Sequence, residues 1–209
     1  DSSKHPSCYK IEGYNVIAKN IGLLLYIRGD IAYRHLPNLE NNTSCLEHIA
    51  AEVFIQNKRI LINNVYRPPS CDKTTFLNNL SSIIDTIRQN NFFMTAWMGD
   101  LNAGNNYEFF GSLKTKAIDH ETASIFESYC YTQIVDLATR LANHSISLID
   151  VIYLDRFDLM DKAVVYSAVA DHCGTAISFD ILCKRPTLRV QERFQSEKMT
   201  SQNWNDFKS

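Results

Sequence analysis

The run of residues 91–98, NFFMTAWM, is the segment that most limits how this chain can fold. Its apolar residues do not alternate with polar ones, which is typical of a strand that is buried on both faces. Just before it, from Phe76 to Ile87, apolar residues recur on one helical face, and Asp72 is a suitable N-cap for that helix. A buried strand that follows an amphipathic helix needs a covering layer on each side of its sheet. We therefore predict a mixed α/β fold.

Most of the other apolar stretches have the composition of β-strands. Two strands within residues 21–36 are joined at Arg28-Gly29-Asp30, which is a hairpin signal, and a polar turn at Gln56-Asn57-Lys58 separates HIAAEVFI from RILINNVY. Pro68-Pro69 ends the second of these, because proline cannot donate to a strand ladder. Three further strands are predicted in SLIDVIYL, KAVVYSAV and GTAISFDIL, and a second helix is predicted from Glu121 to Cys130. The chain thus has many strands and few helices.

Length and composition limit the class of protein. The 209 residues are enough for one domain with a substantial core, and 45% hydrophobic with 21% charged residues is ordinary for a soluble protein. No apolar run is long enough to span a membrane, and the polar first ten residues lack a signal-peptide pattern, so we predict no membrane partner. The six cysteines contain no CxxC pair. We therefore expect neither a zinc site nor a disulfide framework, and we expect a reducing intracellular setting.

The net charge of −2 is unevenly distributed along the chain. Residues 1–183 carry 15 Lys and Arg against 20 Asp and Glu, whereas residues 184–209 carry 6 against 3. We predict a folded domain over 1–183 and a polar, basic linker over 184–209. The acidic domain does not have the charge of a dedicated nucleic-acid-binding module. It is compatible with clustered carboxylates that act through a divalent cation.

Polar residues stand at four strand ends where packing alone would not select them. They are Tyr66-Arg67, Asp100 with Asn102, Asp150, and Asp171-His172. Each also has a structural interpretation: a half-buried aromatic with a surface charge, an Asx-turn, a capping carboxylate, or a histidine held within the core. A single position does not decide between the two interpretations.

Asp150 favours the functional interpretation, because it lies between Ile149 and Val151 and on the expected strand face of Leu148 and Ile152. A carboxylate in such surroundings needs a donor, and a histidine oriented by it gains basicity. Asp150 and His172 could then be the orienting group and the base of a hydrolytic site.

The other polar positions suit the same chemistry. Asp100 and Asn102 offer the oxygen ligands that hard cations prefer, and Tyr66 could stabilise developing negative charge. The chain has no Gly-rich phosphate loop and no serine in a nucleophile elbow. This set favours metal-assisted hydrolysis over nucleotide binding or acyl transfer.

Four segments, in this order, resemble the endonuclease/exonuclease/phosphatase superfamily, and within it the apurinic-type endonuclease domain of non-LTR retrotransposons. NNVYRPPS is similar to a YRPP motif, GDLNAG to a GDFN motif, ATRLANHSISLIDVIY to a TR…S-ID segment and VADHCGTAISF to a terminal SDH segment. The resemblance covers roughly residues 13–182. It implies a four-layer α/β sandwich, in which two packed mixed β-sheets are flanked by helices as in DNase I.

The resemblance also implies roles for the matching residues. Tyr66 would contact the scissile phosphate, Asp100 would orient the attacking water, and Asn102 would hold phosphate and water. His172, oriented by Asp150, would act at the phosphate as general base or transition-state stabiliser, and Asp171 would lie near the metal. The residues implied for contacts to the DNA backbone or for the structure of the site are Arg67, Thr139 and Arg140.

The implied cofactor is Mg²⁺ or Mn²⁺, and the implied substrate is double-stranded DNA in the nucleus, nicked to prime reverse transcription. The basic tail is similar to a connection toward a reverse transcriptase, which would add element RNA as a partner.

Two departures from the family pattern affect the expected activity. Ala170 stands where the family has Ser before Asp-His, and no glutamate of this chain sits in the family's metal-binding E-T/S-W motif; Glu12, Glu47 and Glu52 lie elsewhere. We expect that glutamate, with the first strand or two, to lie upstream of Asp1, and the chain to be weakly active or inactive. The alternatives are a non-catalytic relic, another enzyme of the superfamily such as a DNA-repair endonuclease or a phosphatase, and a plain α/β core.

Overall fold

The fold was analysed in a computed structural model, which describes residues 9–19, 23–102, 104–110, 113–142, 145–169 and 171–181. These residues form fourteen strands and two α-helices. In chain order they are β1 Tyr14–Ala18, β2 Leu24–Arg28, β3 Ala32–His35, β4 Glu47–Ile55, β5 Lys58–Tyr66, α1 Lys73–Arg88, β6 Met94–Asp100, β7 Gly104–Phe110, β8 Leu113–Ile118, α2 His120–Ser128, β9 Thr132–Gln133, β10 Arg140–Ala142, β11 Ser145–Ser147, β12 Asp150–Leu154, β13 Met160–Val169 and β14 His172–Phe179.

Most strands belong to two six-stranded sheets. The first sheet has the order β3-β4-β5-β6-β12-β9, and the second has the order β13-β14-β10-β11-β8-β7. Within the first sheet only β5 and β6 are parallel, and α1 is the crossover that connects them. The strands β1 and β2 form a separate antiparallel pair.

The two faces of the first sheet bury different partners. On one face, Trp97 of β6 and Tyr153 of β12 pack against α1 and against Phe126 of α2. On the other face, Ala96 and Leu154 pack against residues of β13 and β14 from the second sheet. The strand β6 is therefore covered on both sides, as its sequence predicted. The fold is an α/β sandwich of two packed sheets flanked by two helices, which confirms the predicted class.

The helix α1 forms as the sequence predicts. The Asp72 carboxylate accepts a hydrogen bond from the Thr75 amide at 2.8 Å, which caps the helix. The apolar face that packs against the sheet consists of Phe76, Leu80, Ile83, Ile84 and Ile87, all of them buried, with Leu77 half-buried beside them. Both described helices cover the same sheet. Among the described segments, no helix is both long and apolar enough to cross a membrane.

Two expectations from the sequence are wrong in detail. Cys45 and Cys71 form a disulfide, although no disulfide was expected. Their separation of 26 residues shows no motif, but pairing of β4 with β5 brings the chain before one strand beside the chain after the other. Leu148 was expected on the same face as Asp150, yet it packs in the helix-side cluster, because the regular strand begins only at Asp150.

The bounds of the other predicted strands agree with the structure to within a few residues, except that the last strand ends at Phe179. The hairpin expected at Arg28-Gly29-Asp30 is wrong, because β2 pairs with β1 and β3 pairs with β4. The strand β1, the short strands β9, β10 and β11, and the pair β7 and β8 were not predicted. Ala170 and the expected linker 184–209 lie outside the described residues.

Candidate active site

Four polar side chains form one row across the first sheet. Glu47 of β4 pairs with Tyr66 of β5, Tyr66 pairs with Asp100 of β6, and Asp100 pairs with Asp150 of β12. Residues directly opposite one another on neighbouring strands project from the same face of a sheet. This is the face that packs toward the second sheet, and the row lies where the parallel strands β5 and β6 end. Three of the four residues were predicted as site residues, and Glu47 was not.

Gly99 sets the backbone that presents Asp100. Its φ of +138° is poorly accessible to other residues, and a Cβ at this position would lie 1.8 Å from the Val65 carbonyl oxygen. The strands β5 and β6 thus approach more closely here than any side chain would allow. The glycine is a structural requirement of the GDLN segment.

Asn102 and Arg67 hold each other beside Asp100. The Asn102 backbone amide donates to the Asp100 carboxylate at 2.9 Å in an Asx-type turn. The side-chain nitrogen of Asn102 donates to the Arg67 carbonyl, also at 2.9 Å. The Arg67 guanidinium donates back to the Asn102 carbonyl at 3.4 Å and to the Cys71 carbonyl at 3.2 Å, and it lies over the Phe76 ring. The side-chain oxygen of Asn102 is the atom that its predicted role in holding phosphate would use.

Arg67 does not lie where a DNA-backbone contact requires it. It is only 8% exposed and its bonds tie together two loops, so the structural alternative fits it better than the predicted DNA contact. Thr139 is likewise fully buried. Its hydroxyl accepts from the backbone amides of Ile149 and Asp150, at 3.1 and 2.9 Å, and its carbonyl accepts from the Cys173 amide. It connects the backbones that carry Asp150 and His172, which favours the structural alternative for this residue.

Asp150 and His172 form the expected pair. The Nδ1 atom of His172 lies 2.9 Å from a carboxylate oxygen of Asp150, although the two residues come from different sheets. With Nδ1–H donating to Asp150, Nε2 is the atom that can accept or release a proton. The geometry therefore suits a histidine base oriented by a carboxylate.

Arg140 and Asp171 pair at the solvent-exposed edge of the site. The Arg140 Nε lies 2.9 Å from the Asp171 carboxylate, and this bond lowers the pKa of Asp171. Arg140 stands directly opposite His172 in the sheet and keeps part of its side chain exposed, which suits its predicted contact with a DNA backbone. Asp171, expected near the metal, is outside the group of possible metal ligands found among the described residues.

That group consists of Asp100, Asp150 and His172, whose candidate ligand atoms all lie within 4.8 Å of one another. The pKa of Asp100 is raised to about 6, mainly by burial; the bond from the Asn102 amide lowers it, the charge of Asp150 raises it, and His172 and Arg140 lower it. The Asp100 carboxylate offers the oxygen ligands that suit Mg²⁺ or Mn²⁺. Asp150 is bonded to His172, and this pair suits proton transfer.

A cavity of about 250 Å³ lies beside Asp100 on the side of β4 and β5. Its lining includes Tyr66 and two polar residues that the sequence analysis did not select, Glu47 and Asn64. A signal for Glu47 was present in the sequence. A hairpin with the tight turn Gln56-Asn57, both residues at positive φ, places Glu47 opposite Tyr66.

Comparisons with known proteins identify the fold. No protein-family model and no curated protein matches the sequence, whereas solved structures do match. The architecture is that of the endonuclease/exonuclease/phosphatase proteins. The endonuclease domain of TRAS1, a telomere-specific non-LTR retrotransposon, aligns with a TM-score of 0.62 and 15% identity over 83% of each chain.

Other solved structures share this fold. An endonuclease/exonuclease/phosphatase family protein of Leptotrichia buccalis aligns with a TM-score of 0.56 and 14% identity, over 83% of this chain and 74% of that one. TDP2 of D. rerio, solved with a single-strand DNA product, aligns with a TM-score of 0.53 and 11% identity, over 80% and 77%. At these identities the comparisons establish the fold and leave the reaction to be argued from the site.

Proposed function

We propose that this chain is the endonuclease domain of a non-LTR retrotransposon, a metal-dependent phosphodiesterase that nicks double-stranded DNA, with weak activity because no glutamate of the chain sits in the family's E-T/S-W motif. The observation that carries the proposal is the convergence of Asp100, Asp150 and His172 from two different sheets within 4.8 Å. A purely structural role would not require a histidine–carboxylate pair beside a second, desolvated carboxylate. The likeness to the TRAS1 endonuclease domain and the YRPP segment favour the retrotransposon branch over other hydrolases of this fold.

Each residue has a defined task in this reaction. His172, oriented by Asp150, takes a proton at Nε2 or stabilises the charged phosphorane-like transition state. Asp100 orients the attacking water, Asn102 holds water and phosphate, and Tyr66 donates its phenolic hydrogen to a phosphate oxygen. Mg²⁺ or Mn²⁺, held by the carboxylates, supplies neutralisation of the developing charge. Arg140 contacts the DNA backbone, and residues 184–209 link the domain to a reverse transcriptase, which would bring element RNA to the nuclear DNA.

A plasmid assay tests the proposal directly. Supercoiled plasmid incubated with the protein and Mg²⁺ is expected to give open circles, and Asp100→Ala is expected to abolish their formation. EDTA should stop the reaction, and Glu12→Gln, an exposed carboxylate outside the site, should leave it unchanged.

The remaining outcomes select among the alternatives. Phosphate release from monoesters without plasmid nicking would identify a phosphatase, and preference for abasic over intact duplex would identify a repair-type endonuclease. A folded protein that neither cleaves nor binds Mg²⁺ by calorimetry would be a non-catalytic relic of such a domain.

A further inference from the structure

Glu47 is a half-buried carboxylate that no basic side chain of the described residues compensates. Burial is the only identified cause of the raised pKa of Glu47, and none of the described residues donates to its carboxylate. A carboxylate in this position lowers stability unless something binds it. Nine residue pairs with β5 hold the backbone of β4 in place, and they therefore fix the position of Glu47 at the start of this strand.

The cavity beside Glu47 is lined by Leu23, Val65 and Gly99 together with four polar residues, and the polar part of its lining suits a cation. Glu47 and Asp100 both line it, on either side of Tyr66 in the strand order, and Asn64 lines it one row further along β5. The Asn64 side-chain nitrogen donates to the Leu24 carbonyl at 2.9 Å, so the other polar atom of this side chain is an oxygen acceptor. Two carboxylates, an amide oxygen and a phenol oxygen are hard donors, which Mg²⁺ and Mn²⁺ prefer to the nitrogen and sulfur ligands of softer metals.

We propose that Glu47 is a ligand of the divalent cation in this site, and that it shares the ion with Asp100 through the cavity flanking Tyr66. The inference rests on the proposed metal-dependent hydrolysis and adds a division of labour to it. Asp100 belongs both to the cavity and to the group with Asp150 and His172, whereas Glu47 belongs only to the cavity. The cation therefore lies on the Tyr66 side of Asp100. The pair Asp150–His172 is left free to hold and move the proton.

Binding of Mn²⁺ to the full chain tests this assignment independently of activity. Isothermal titration calorimetry, or the electron paramagnetic resonance signal of free Mn²⁺, gives the affinity of the wild type and of four variants: Glu47→Gln, Asp100→Asn, His172→Gln and Glu12→Gln. We expect Glu47→Gln and Asp100→Asn each to weaken Mn²⁺ binding about tenfold or more, the scale on which site groups affect metal affinity. His172→Gln should retain most of the affinity while losing nicking. Glu12→Gln, an exposed carboxylate, should match the wild type.

Glu47→Gln preserves the shape of the side chain, so its melting temperature without metal should equal or exceed that of the wild type. Glu47→Asp provides a second test, because it keeps the charge but withdraws the oxygen by one methylene, and it should bind Mn²⁺ more weakly than the wild type. If the wild type binds Mn²⁺ and nicks DNA while Glu47→Gln binds the ion equally well, the assignment of Glu47 is wrong and the proposed function stands. If the wild type binds no Mn²⁺ at millimolar concentration, both are wrong.

Discussion

The strand β4 carries two carboxylates, Glu52 and Glu47, which the fold treats in opposite ways. Glu52 is fully buried, and its two oxygens accept hydrogen bonds from Arg34 and Arg59. Burial alone would raise the pKa of Glu52, but the bonds from the two arginines lower it below its ordinary value. Glu47, five residues away in sequence, has no such partner among the described residues, and burial raises its pKa.

The same contrast separates Asp119 from Asp100. Asp119 is buried at the start of α2, where Lys73 bonds to its carboxylate at 2.9 Å, and its pKa is lowered despite burial. Asp100 is flanked by another carboxylate and has a pKa of about 6. Glu52 and Asp119 thus receive a cation from the chain itself. Among the described residues no basic side chain bonds to Asp100 or Glu47, which leaves a cation to be supplied from solution.

The largest expected effect comes from replacing His172, the proton-transfer group. This change leaves intact both the carboxylates paired with basic side chains and those of the candidate site. We expect His172→Gln to lower the plasmid-nicking rate by about 10²–10⁴, the range for loss of a general acid or base. The melting temperature should change little, because His172 is half-buried and bonds to a single partner. A single-turnover nicking assay at saturating Mg²⁺ measures the effect. A rate within threefold of wild type, a margin well below the usual loss, would exclude His172 from the chemistry.

Breaking a compensated carboxylate should lower stability and leave metal binding unchanged. We expect Glu52→Gln to reduce the free energy of unfolding by about 2–3 kcal/mol at pH 7, because the amide removes the charge that both arginines face and keeps only one acceptor oxygen for the two of them. The loss stays below that of a fully buried triad, since the Arg34 and Arg59 side chains are 59% and 42% exposed and can be rehydrated. Urea unfolding of Glu52→Gln and of the control Glu12→Gln measures it. Equal midpoints would show that the ion pairs do not compensate the burial of Glu52.

Neutralising Asp100 should raise the free energy of unfolding of the metal-free protein, where neutralising Glu52 lowers it. Because the folded-state pKa of Asp100 is about 6 against an ordinary 3.8, ionising it in the metal-free protein costs stability. Its favourable contribution is complete below about pH 4 and is lost as the pH rises through about 6. Asp100→Asn should therefore stabilise the metal-free protein by about 1–2 kcal/mol at pH 7.5, and by much less at pH 4. Thermal unfolding at both pH values, with EDTA and with excess Mg²⁺, checks this. With saturating Mg²⁺ the wild type should become more stable than Asp100→Asn.

The sequence predicts those parts of the fold and site that depend on local pattern. The apolar run of β6, the amphipathic face of α1 and the Asp72 cap follow from periodicity and capping chemistry, and the structure confirms them. The pairing of Asp150 with His172 follows from the need of a buried carboxylate for a donor. The parts that were missed depend on long-range pairing. The disulfide between Cys45 and Cys71, the burial of Arg67 and Thr139, and the role of the short strands β9–β11 are set by which strands become neighbours, and composition does not encode that.

The position of Glu47 depends partly on local pattern and partly on long-range strand pairing. Its position opposite Tyr66 follows from the Gln56-Asn57 turn, because a two-residue hairpin loop fixes the register of both strands. Its place in the same row as Asp100 also requires knowing that β5 and β6 are parallel neighbours, which only the tertiary structure provides. The sequence could therefore indicate a carboxylate beside Tyr66, but not one that shares a cavity with Asp100.

The smallest expected effect is a pH dependence of cation affinity that compensated carboxylates would not produce. A cation must displace the proton from Asp100, whose pKa is about 6, so the apparent affinity for Mn²⁺ should be constant above pH 7. At pH 5 it should be about tenfold weaker, which corresponds to the release of one proton per ion bound. Calorimetry in two buffers of different ionisation enthalpy counts the protons directly.

Asp100→Asn should remove this pH dependence together with most of the affinity, whereas His172→Gln should retain the pH dependence. Release of more than one proton in the His172→Gln variant would show that Glu47, whose pKa burial also raises, ionises on the same ion. An affinity that does not vary between pH 5 and pH 7 would mean that the cation does not contact Asp100, and the contrast between the two kinds of carboxylate would then have no consequence for catalysis.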